Sequence, residues 1–321
     1  MNRLRRNQIL LGDALQQIRT LPTHSVDQVI TSPPYFRLRD YAIEGQLGLE
    51  ASIDEWVKEV RAVVDECARV LVPTGTLWLN LGDTYSTRPS EGALRKSLLL
   101  APERLALALT EDGWTLRNKI IWAKTNAAPT SVTDRLATKH EVIYLLTRSP
   151  RYYFNLDQIR VPHTSRSKPT HTTVEPGRPA WLGPNTDGDR GLHALKARGE
   201  PGHPLGKNPG DVWAMSVSNF RGAHFATYPV ALVERMLRAG CPERRCVNCH
   251  APWRSPPSRI AVQPPAPSCD CGAGSEPGIV LDPFMGAGTT AVAARALGRD
   301  WIGVELNPKF RDMALRRLDA A

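Results

Sequence analysis

Near the start of this 321-residue chain, Thr31-Ser32-Pro33-Pro34-Tyr35 follows Val26-Asp27-Gln28-Val29-Ile30, a stretch that passes from alternating to continuously apolar as a strand does. Two consecutive prolines fix the backbone and remove two N–H donors. The polar groups left for a ligand are mainly acceptors, the Ser32 hydroxyl and the Pro33 carbonyl, beside the aromatic plane of Tyr35. At the carboxyl end of a strand, where open α/β sheets bind ligands, this set suits a planar ring carrying an amine. Acceptors would hold the amine hydrogens and favour a pyramidal nitrogen with its lone pair free, and Tyr35 would stack on the ring. Alone, the segment would read as a proline-stiffened turn.

A second segment lies near the other end of the chain. Gly278-Ile279-Val280-Leu281 is a short apolar run, and Asp282-Pro283-Phe284-Met285-Gly286-Ala287-Gly288-Thr289-Thr290 leads from it into a helix-forming stretch, residues 290–297. Strand, glycine turn and helix in that order let a ligand approach the backbone and offer it the unpaired N–H groups of a helix start. A further apolar run, Trp301-Ile302-Gly303-Val304, ends in Glu305, 17 residues past Gly288. In doubly wound folds an acidic residue there grips ribose hydroxyls, which points to a nucleoside ligand.

A third group is cysteine-rich. Cys246-x-x-Cys249 and Cys269-x-Cys271 stand about 20 residues apart and resemble a zinc knuckle or ribbon, in which two thiolate pairs complete a four-ligand structural site. Free reduced thiols and a disulfide are the competing readings, and Cys241 and His250 are alternative ligands. Nearby Arg244, Arg245 and Arg254 are candidates for supporting contacts to a polyanion.

The elements that would position these groups alternate. Ile53, Trp56, Val57, Val60, Val64, Cys67 and Leu71 recur at helical spacing over residues 53–71, with Ser52 and Glu55 as a capping box, and Cys67 is expected as a packing residue. Strand-like and helical stretches follow over 75–81, 101–110 and 116–124, with a further strand over 140–145. This rhythm implies a mainly parallel sheet covered by helices. Residues 151–222 are rich in Pro, Gly, His, Thr and Arg and read as a loop-rich insertion. The chain carries 41 basic and 32 acidic residues, a net charge of +9, which suits a polyanionic partner. No apolar run reaches membrane-spanning length and no signal core follows Met1-Asn2-Arg3-Leu4-Arg5-Arg6, so a cytoplasmic location, with no membrane partner, is expected.

Taken together, the two segments resemble the catalytic and S-adenosylmethionine motifs of amino-specific DNA methyltransferases. With the catalytic motif first and the donor loop last, the chain resembles the permuted beta class, and further matches extend over about 8–150 and 211–315. The resemblance implies a Rossmann-like class I α/β fold with a seven-stranded, mainly parallel sheet. It divides the chain into a catalytic half (1–150), a target-recognition region (151–222) and a donor-binding half (223–321) that contains the cysteine-rich insertion (241–275).

By the same resemblance, Ser32, Pro33, Pro34 and Tyr35 are the catalytic set. The donor site comprises Asp13, Phe225, Ala226, Thr227, Asp282, Pro283, Phe284, Gly286, Gly288, Thr289, Thr290 and Glu305. Asp13 would face the donor adenine, and the segment His224-Phe225-Ala226-Thr227-Tyr228-Pro229 would close over its methionine part. Gly75-Thr76-Leu77-Trp78-Leu79-Asn80-Leu81-Gly82-Asp83 matches the strand and loop beyond the catalytic motif. Within 151–222, Arg160, Arg166, Lys168, Arg178, Arg190, Lys196 and Arg198 are candidate phosphate or base contacts, and Trp181 a candidate wedge or packing anchor.

Ser32 stands where adenine-N6 members usually carry Asp, which favours cytosine N4 in flipped duplex DNA. Cytosine-C5 chemistry would need a thiolate, usually from a Pro-Cys pair, and the chain has none. An adenine-N6 enzyme of the same fold and a non-catalytic DNA-binding regulator are the alternative functions. Expected partners are duplex DNA, a second copy of the chain in a homodimer and a cognate restriction endonuclease. Structural zinc is the second expected cofactor.

Overall fold

The computed structural model describes residues 4–163, 203, 205–217, 228–256 and 263–320. Its centre is an eight-stranded sheet. In chain order the strands are β1 (Gln8–Leu11), β2 (Val26–Thr31), β3 (Leu71–Leu81), β4 (Thr115–Lys124), β5 (His140–Thr147), β6 (Val212–Met215), β9 (Ile279–Asp282) and β10 (Asp300–Glu305). A separate ribbon pairs β7 (Arg244–Cys246) with β8 (Ser275–Pro277). The sheet order is β1-β10-β9-β2-β3-β5-β4-β6, with only β5 running against its neighbours. One strand exceeds the expected seven. The extra one is β6, short and parallel to β4, from a stretch whose Pro and Gly content reads as loop.

Among the described residues six helices cover the sheet: α1 (Ala14–Arg19), α2 (Ile53–Val70), α3 (Ala101–Glu111), α4 (Val230–Gly240), α5 (Thr289–Ala296) and α6 (Pro308–Asp319). Alternate strand residues feed opposite faces, as the period of two requires. Ile279 and Leu281 pack with α1, α2 and α3, whereas Val280 packs with α4 and α5. The result is a three-layer α/β/α sandwich.

The amphipathic face read over 53–71 is buried as Ile53, Trp56, Val60, Val64 and Cys67, and Ser52 Oγ accepts from the Glu55 amide at 3.3 Å. Glu55 returns the bond to Ala51 N at 3.0 Å, one residue before the expected box partner. The helix passes directly into β3, four residues before the strand expected from Gly75. Pro73 and Gly75 fall in an irregular stretch where the register against β2 jumps from Val26↔Leu71 to Gln28↔Thr76, so the strand absorbs both as a bulge. Asp83, just past β3, accepts from the Leu100 and Ala101 amides at 2.9 and 3.1 Å and caps α3.

Strand order reverses between β9 and β2. From β9 the chain crosses through α5 to β10 on one side, and from β2 through α2 to β3 on the other. Ligands bind outside the carboxyl ends of strands at such a point. The two chemically suggestive segments leave these adjacent strand ends.

Candidate active site

A cavity of about 720 Å³ opens at that edge. Its walls carry Ser32, Pro33, Pro34 and Tyr35 from the end of β2, residues 283–287 and Thr289 from the β9–α5 turn, and Asp13 with Glu305 from neighbouring strand ends. Segments some 250 positions apart are joined by Thr31 Oγ1 donating to Asp282 Oδ1 at 2.9 Å.

At one end of the cavity a hydrogen-bonded cluster surrounds Ser32. The Tyr35 hydroxyl lies 3.0 Å from Ser32 Oγ and donates to Glu141 Oε2 at 2.6 Å. Asn80 Nδ2 lies 2.8 Å from the Tyr35 oxygen, 2.7 Å from Glu141 Oε2 and 3.3 Å from Ser32 Oγ. Lys124 pairs with the other Glu141 oxygen and lies 5.1 Å from the centre of the Trp122 ring. Burial, reinforced by the adjacent Glu141 carboxylate, pushes the Tyr35 phenol well above its ordinary value and keeps it protonated. The cavity lies at the carboxyl end of β3 and β4 but at the amino end of β5, so the antiparallel turn of β5 delivers Glu141 to it. Neither Glu141 nor Lys124 belongs to the sequence-derived site. The only signal available is a charged residue at the end of an otherwise apolar strand.

The backbone here is held tightly. Trp56 Nε1 of α2 donates to the Pro34 carbonyl at 2.9 Å. A Cβ on Gly82 would lie 2.6 Å from Tyr35 Cε2. Gly82→Ala must displace the ring, so kcat is expected to fall by ~10²-fold, the scale for misplacing a positioning group, while the melting temperature changes little. Steady-state kinetics beside a thermal melt checks this, and unchanged kcat would show that Tyr35 placement does not matter.

The other end of the cavity is built around Glu305. Its two oxygens accept from Gly286 N at 2.7 Å and Asn307 N at 2.8 Å. Burial raises its carboxyl above the usual range. Tyr41 and Phe310, edge to face with centroids 6.0 Å apart, line the same end. Gly288 starts α5 at φ 77°, and a Cβ there would lie 2.9 Å from the Ala314 Cβ, so the turn admits only glycine. A buried carboxylate held by backbone amides, with acceptor capacity left, aromatic faces and a glycine turn fit a nucleoside donor such as S-adenosylmethionine.

Several expected site residues occupy other positions. Asp282 is buried beneath the cavity wall, where it accepts from Thr31, from Tyr228 at 2.9 Å, from Thr290 at 2.6 Å and from Phe284 N at 3.1 Å. It ties β2, β9, α5 and the start of α4 together. Gly288 and Thr290 also lie behind the wall, whereas Pro283, Phe284, Gly286 and Thr289 line it. Asp13 lines the cavity and caps α1 by accepting from Gln16 N at 2.9 Å. Arg160 is committed internally to Asp157 at 2.6 Å and the Gly206 carbonyl at 3.1 Å. Phe225, Ala226, Thr227, His224, Arg166, Lys168, Arg178, Trp181, Arg190, Lys196 and Arg198 lie outside the described residues.

The cysteine-rich insertion also departs from expectation. Arg245 is buried at 1 % exposure, where it donates to the Ser25 carbonyl at 2.8 Å, Asp27 Oδ2 at 3.2 Å and Glu276 Oε1 at 2.9 Å. It cannot reach a polyanion. Arg254 is exposed and donates to the Tyr152 carbonyl at 3.2 Å, and Arg244 is exposed at the ribbon, where it donates to Ser275 Oγ at 3.2 Å. Among the described residues no helix is long and apolar enough to cross a membrane.

Comparison with known proteins agrees with this geometry. The family model described as DNA methylase, covering N6 and N4 enzymes, matches residues 26–316. Type II methyltransferase M.Cfr9I of Citrobacter freundii is 33 % identical over 96 % of this chain and 86 % of its own length. Type II methyltransferase M.XycI of Xanthomonas campestris pv. cyanopsidis is 34 % identical over 98 % and 88 %. Among solved structures, the PvuII DNA methyltransferase (cytosine-N4-specific) superposes with a TM-score of 0.60 at 16 % identity, covering 97 % of this chain and 88 % of that one. A putative DNA modification methylase from Thermus thermophilus, complexed with S-adenosyl-L-methionine, gives 0.55 at 22 % identity over 98 % and 95 %. The fold is that of the class I methyltransferases. The chain belongs to the amino-specific N6/N4 DNA methylase family, with its motifs in the permuted order.

Proposed function

We propose that the protein is a site-specific DNA methyltransferase that methylates the exocyclic N4 of a flipped cytosine. The observation that supports this most directly is the acceptor cluster of Ser32 beside the Glu305 end of the same cavity. Ser32 Oγ and the Pro33 carbonyl would hold the amine hydrogens and turn the nitrogen lone pair along the cavity. Pro34, fixed by Trp56, sets the turn, and Tyr35 presents its ring to the base. S-Adenosylmethionine, when bound, supplies an electrophilic methyl group. Glu305, Asp13 and Gly286 would hold its nucleoside, and Phe284 and Thr289 would shape the wall beside it.

A duplex shields the amine from in-line attack, so the base must leave the stack. The methylated nitrogen must then lose a proton. Ser32 Oγ can accept it while passing its own proton to the Tyr35 oxygen, whose proton moves to Glu141 and finally to solvent. No covalent enzyme intermediate is required. The serine hydroxyl, where adenine-N6 members usually carry Asp, favours cytosine. Because the two relatives are named Type II methyltransferases, we infer a cognate restriction endonuclease that reads the same site. A homodimer remains the proposal for its assembly.

The test is incubation with tritiated S-adenosylmethionine and mixed genomic DNA, then digestion and chromatography of the labelled nucleoside. Label in N4-methylcytosine is expected. Label in N6-methyladenine would overturn the cytosine reading and keep the family chemistry. No label on folded, donor-binding protein would move the reading towards a DNA-binding regulator.

A further inference from the structure

At the opposite edge of the sheet, the β7–β8 ribbon holds four thiols that methyl transfer does not use. Cys246 ends β7, Cys249 lies in the turn beyond it, and Cys269 and Cys271 lie on the approach to β8. Their Sγ atoms all fall within 4.8 Å of one another. Two groups of Asn248 point at the sulfurs, its backbone N–H at Cys246 Sγ (3.4 Å) and its Nδ2 at Cys271 Sγ (3.7 Å). A tetrahedral tetrathiolate site with Zn–S bonds of about 2.3 Å has S···S edges of about 3.8 Å, so a small contraction of the observed cluster encloses the ion. The other candidates are excluded by position. Neither Cys241 nor His250 places a ligand atom within the cluster; Cys241 is fully buried in the core beside α4, and His250 turns Nδ1 to the His24 carbonyl at 2.9 Å.

We propose that Cys246, Cys249, Cys269 and Cys271 bind one Zn²⁺ in a closed structural site, and that this ion holds the ribbon against the amino ends of β2 and β9. Strands of three residues each make a ribbon too short to be stable alone, and β7 nevertheless has to carry Arg245 into the protein interior next to Cys246. The guanidinium reaches Asp27 in β2, and the second bond to Asp27 comes from the backbone of Ile279, the first residue of β9. His250 adds its contact to the loop before β2. The metal therefore sits at the root of the two strands whose far ends form the cavity. With four thiolates it has no open position for a substrate, and its work is to fix the ribbon.

The experiment is elemental analysis of the whole protein purified without added metal, with cobalt substitution as the spectroscopic probe. One zinc per chain is expected, together with the charge-transfer and visible bands of a tetrahedral Co²⁺ tetrathiolate after exchange. Cys246→Ser and Cys269→Ser should lose the metal, while Cys241→Ser and His250→Ala retain it. If the two ligand variants fail to fold, the wild-type stoichiometry and the cobalt spectrum decide alone. Four freely reactive thiols and no stoichiometric metal in folded wild-type protein would overturn the proposal, as would iron with sulfide or a disulfide among these residues. Zinc removal should lower the melting temperature reversibly, with kcat below that temperature within twofold of the holoprotein. A collapse of kcat with an unchanged fold would overturn the structural role.

Discussion

Glu141→Ala is expected to lower kcat by about 10²–10³-fold while leaving the affinity for S-adenosylmethionine unchanged. Glu141 accepts from Tyr35, Asn80 and Lys124 at the Ser32 end of the cavity and makes none of the contacts around Glu305. Its removal takes away the group that orients the Tyr35 hydroxyl and that, in the proposed relay, receives the departing proton, a loss of the size seen when one preorganised electrostatic partner is deleted. It also strands the Lys124 ammonium beside Trp122. Tyr35→Phe keeps the ring and loses only the hydroxyl, so a smaller loss, about 10-fold, is expected, within the range for a missing proton-transfer group. Single-turnover kinetics with donor binding measured by calorimetry separates the two ends. A kcat within threefold of wild type for Glu141→Ala would show that the cluster has no part in the reaction, and weakened donor binding would show that the two ends are not independent.

Arg245→Ala is expected to cost ~3–5 kcal/mol of stability, the usual penalty when one partner of a buried ion pair is removed and the other is left uncompensated. Asp27 is 2 % exposed and keeps only the Ile279 amide once the guanidinium has gone. At the ~2–4 °C per kcal/mol of a large domain, the melting temperature should fall by ~6–20 °C. The pH dependence has a defined sign. Burial lifts Asp27 from 3.8 to about 6 even with Arg245 present, so between these values the folded state binds more protons than the unfolded chain. Its contribution to stability therefore declines as pH rises from about 4 to 6 and is level above. Without Arg245 the carboxyl rises further and the decline extends upward, so the variant's deficit should be larger at pH 8 than at pH 5. Thermal melts across that range check the prediction. A deficit that is small, or larger at pH 5, would mean that the pair does not hold Asp27 ionised.

The local motifs were legible because each states its chemistry in consecutive residues. Two prolines with Ser32 and Tyr35, or a glycine turn between an apolar run and a helix, fix their own backbone and need little context. The alternating α/β pattern was equally readable, since the apolar period of α2 reports directly which face is buried. What stayed hidden depends on pairing between distant segments. Glu141 belongs to the site only because β5 runs antiparallel, and no local property of His140-Glu141-Val142 announces that direction. Asp282 reads as a cavity residue from its motif, but the approach of Thr31, Tyr228 and Thr290 turns it into a buried junction. Arg245 looks like a surface cation in an arginine-rich stretch until Asp27 and Glu276 are placed beside it. The strand β6 is not legible in the sequence, because a four-residue edge strand needs only one partner and carries little pattern of its own.

The neighbouring positions of β2 and β9 also bear on how the protein is made. Thr31 and Asp282 are 251 positions apart, so the centre of the sheet closes through contacts of very long sequence separation, the kind that form slowly. During synthesis at about 5–20 residues per second, β1 and β2 emerge early, yet the strands that lie between them in the finished sheet, β10 and β9, emerge near the end. A ribosome-bound chain must keep that gap open, with the apolar edges of β1 and β2 exposed to chaperones. A prematurely terminated product therefore lacks the cavity, because the segment from Ser32 to Tyr35 and the Glu305 end come together only after residues 279–305 have been released and inserted.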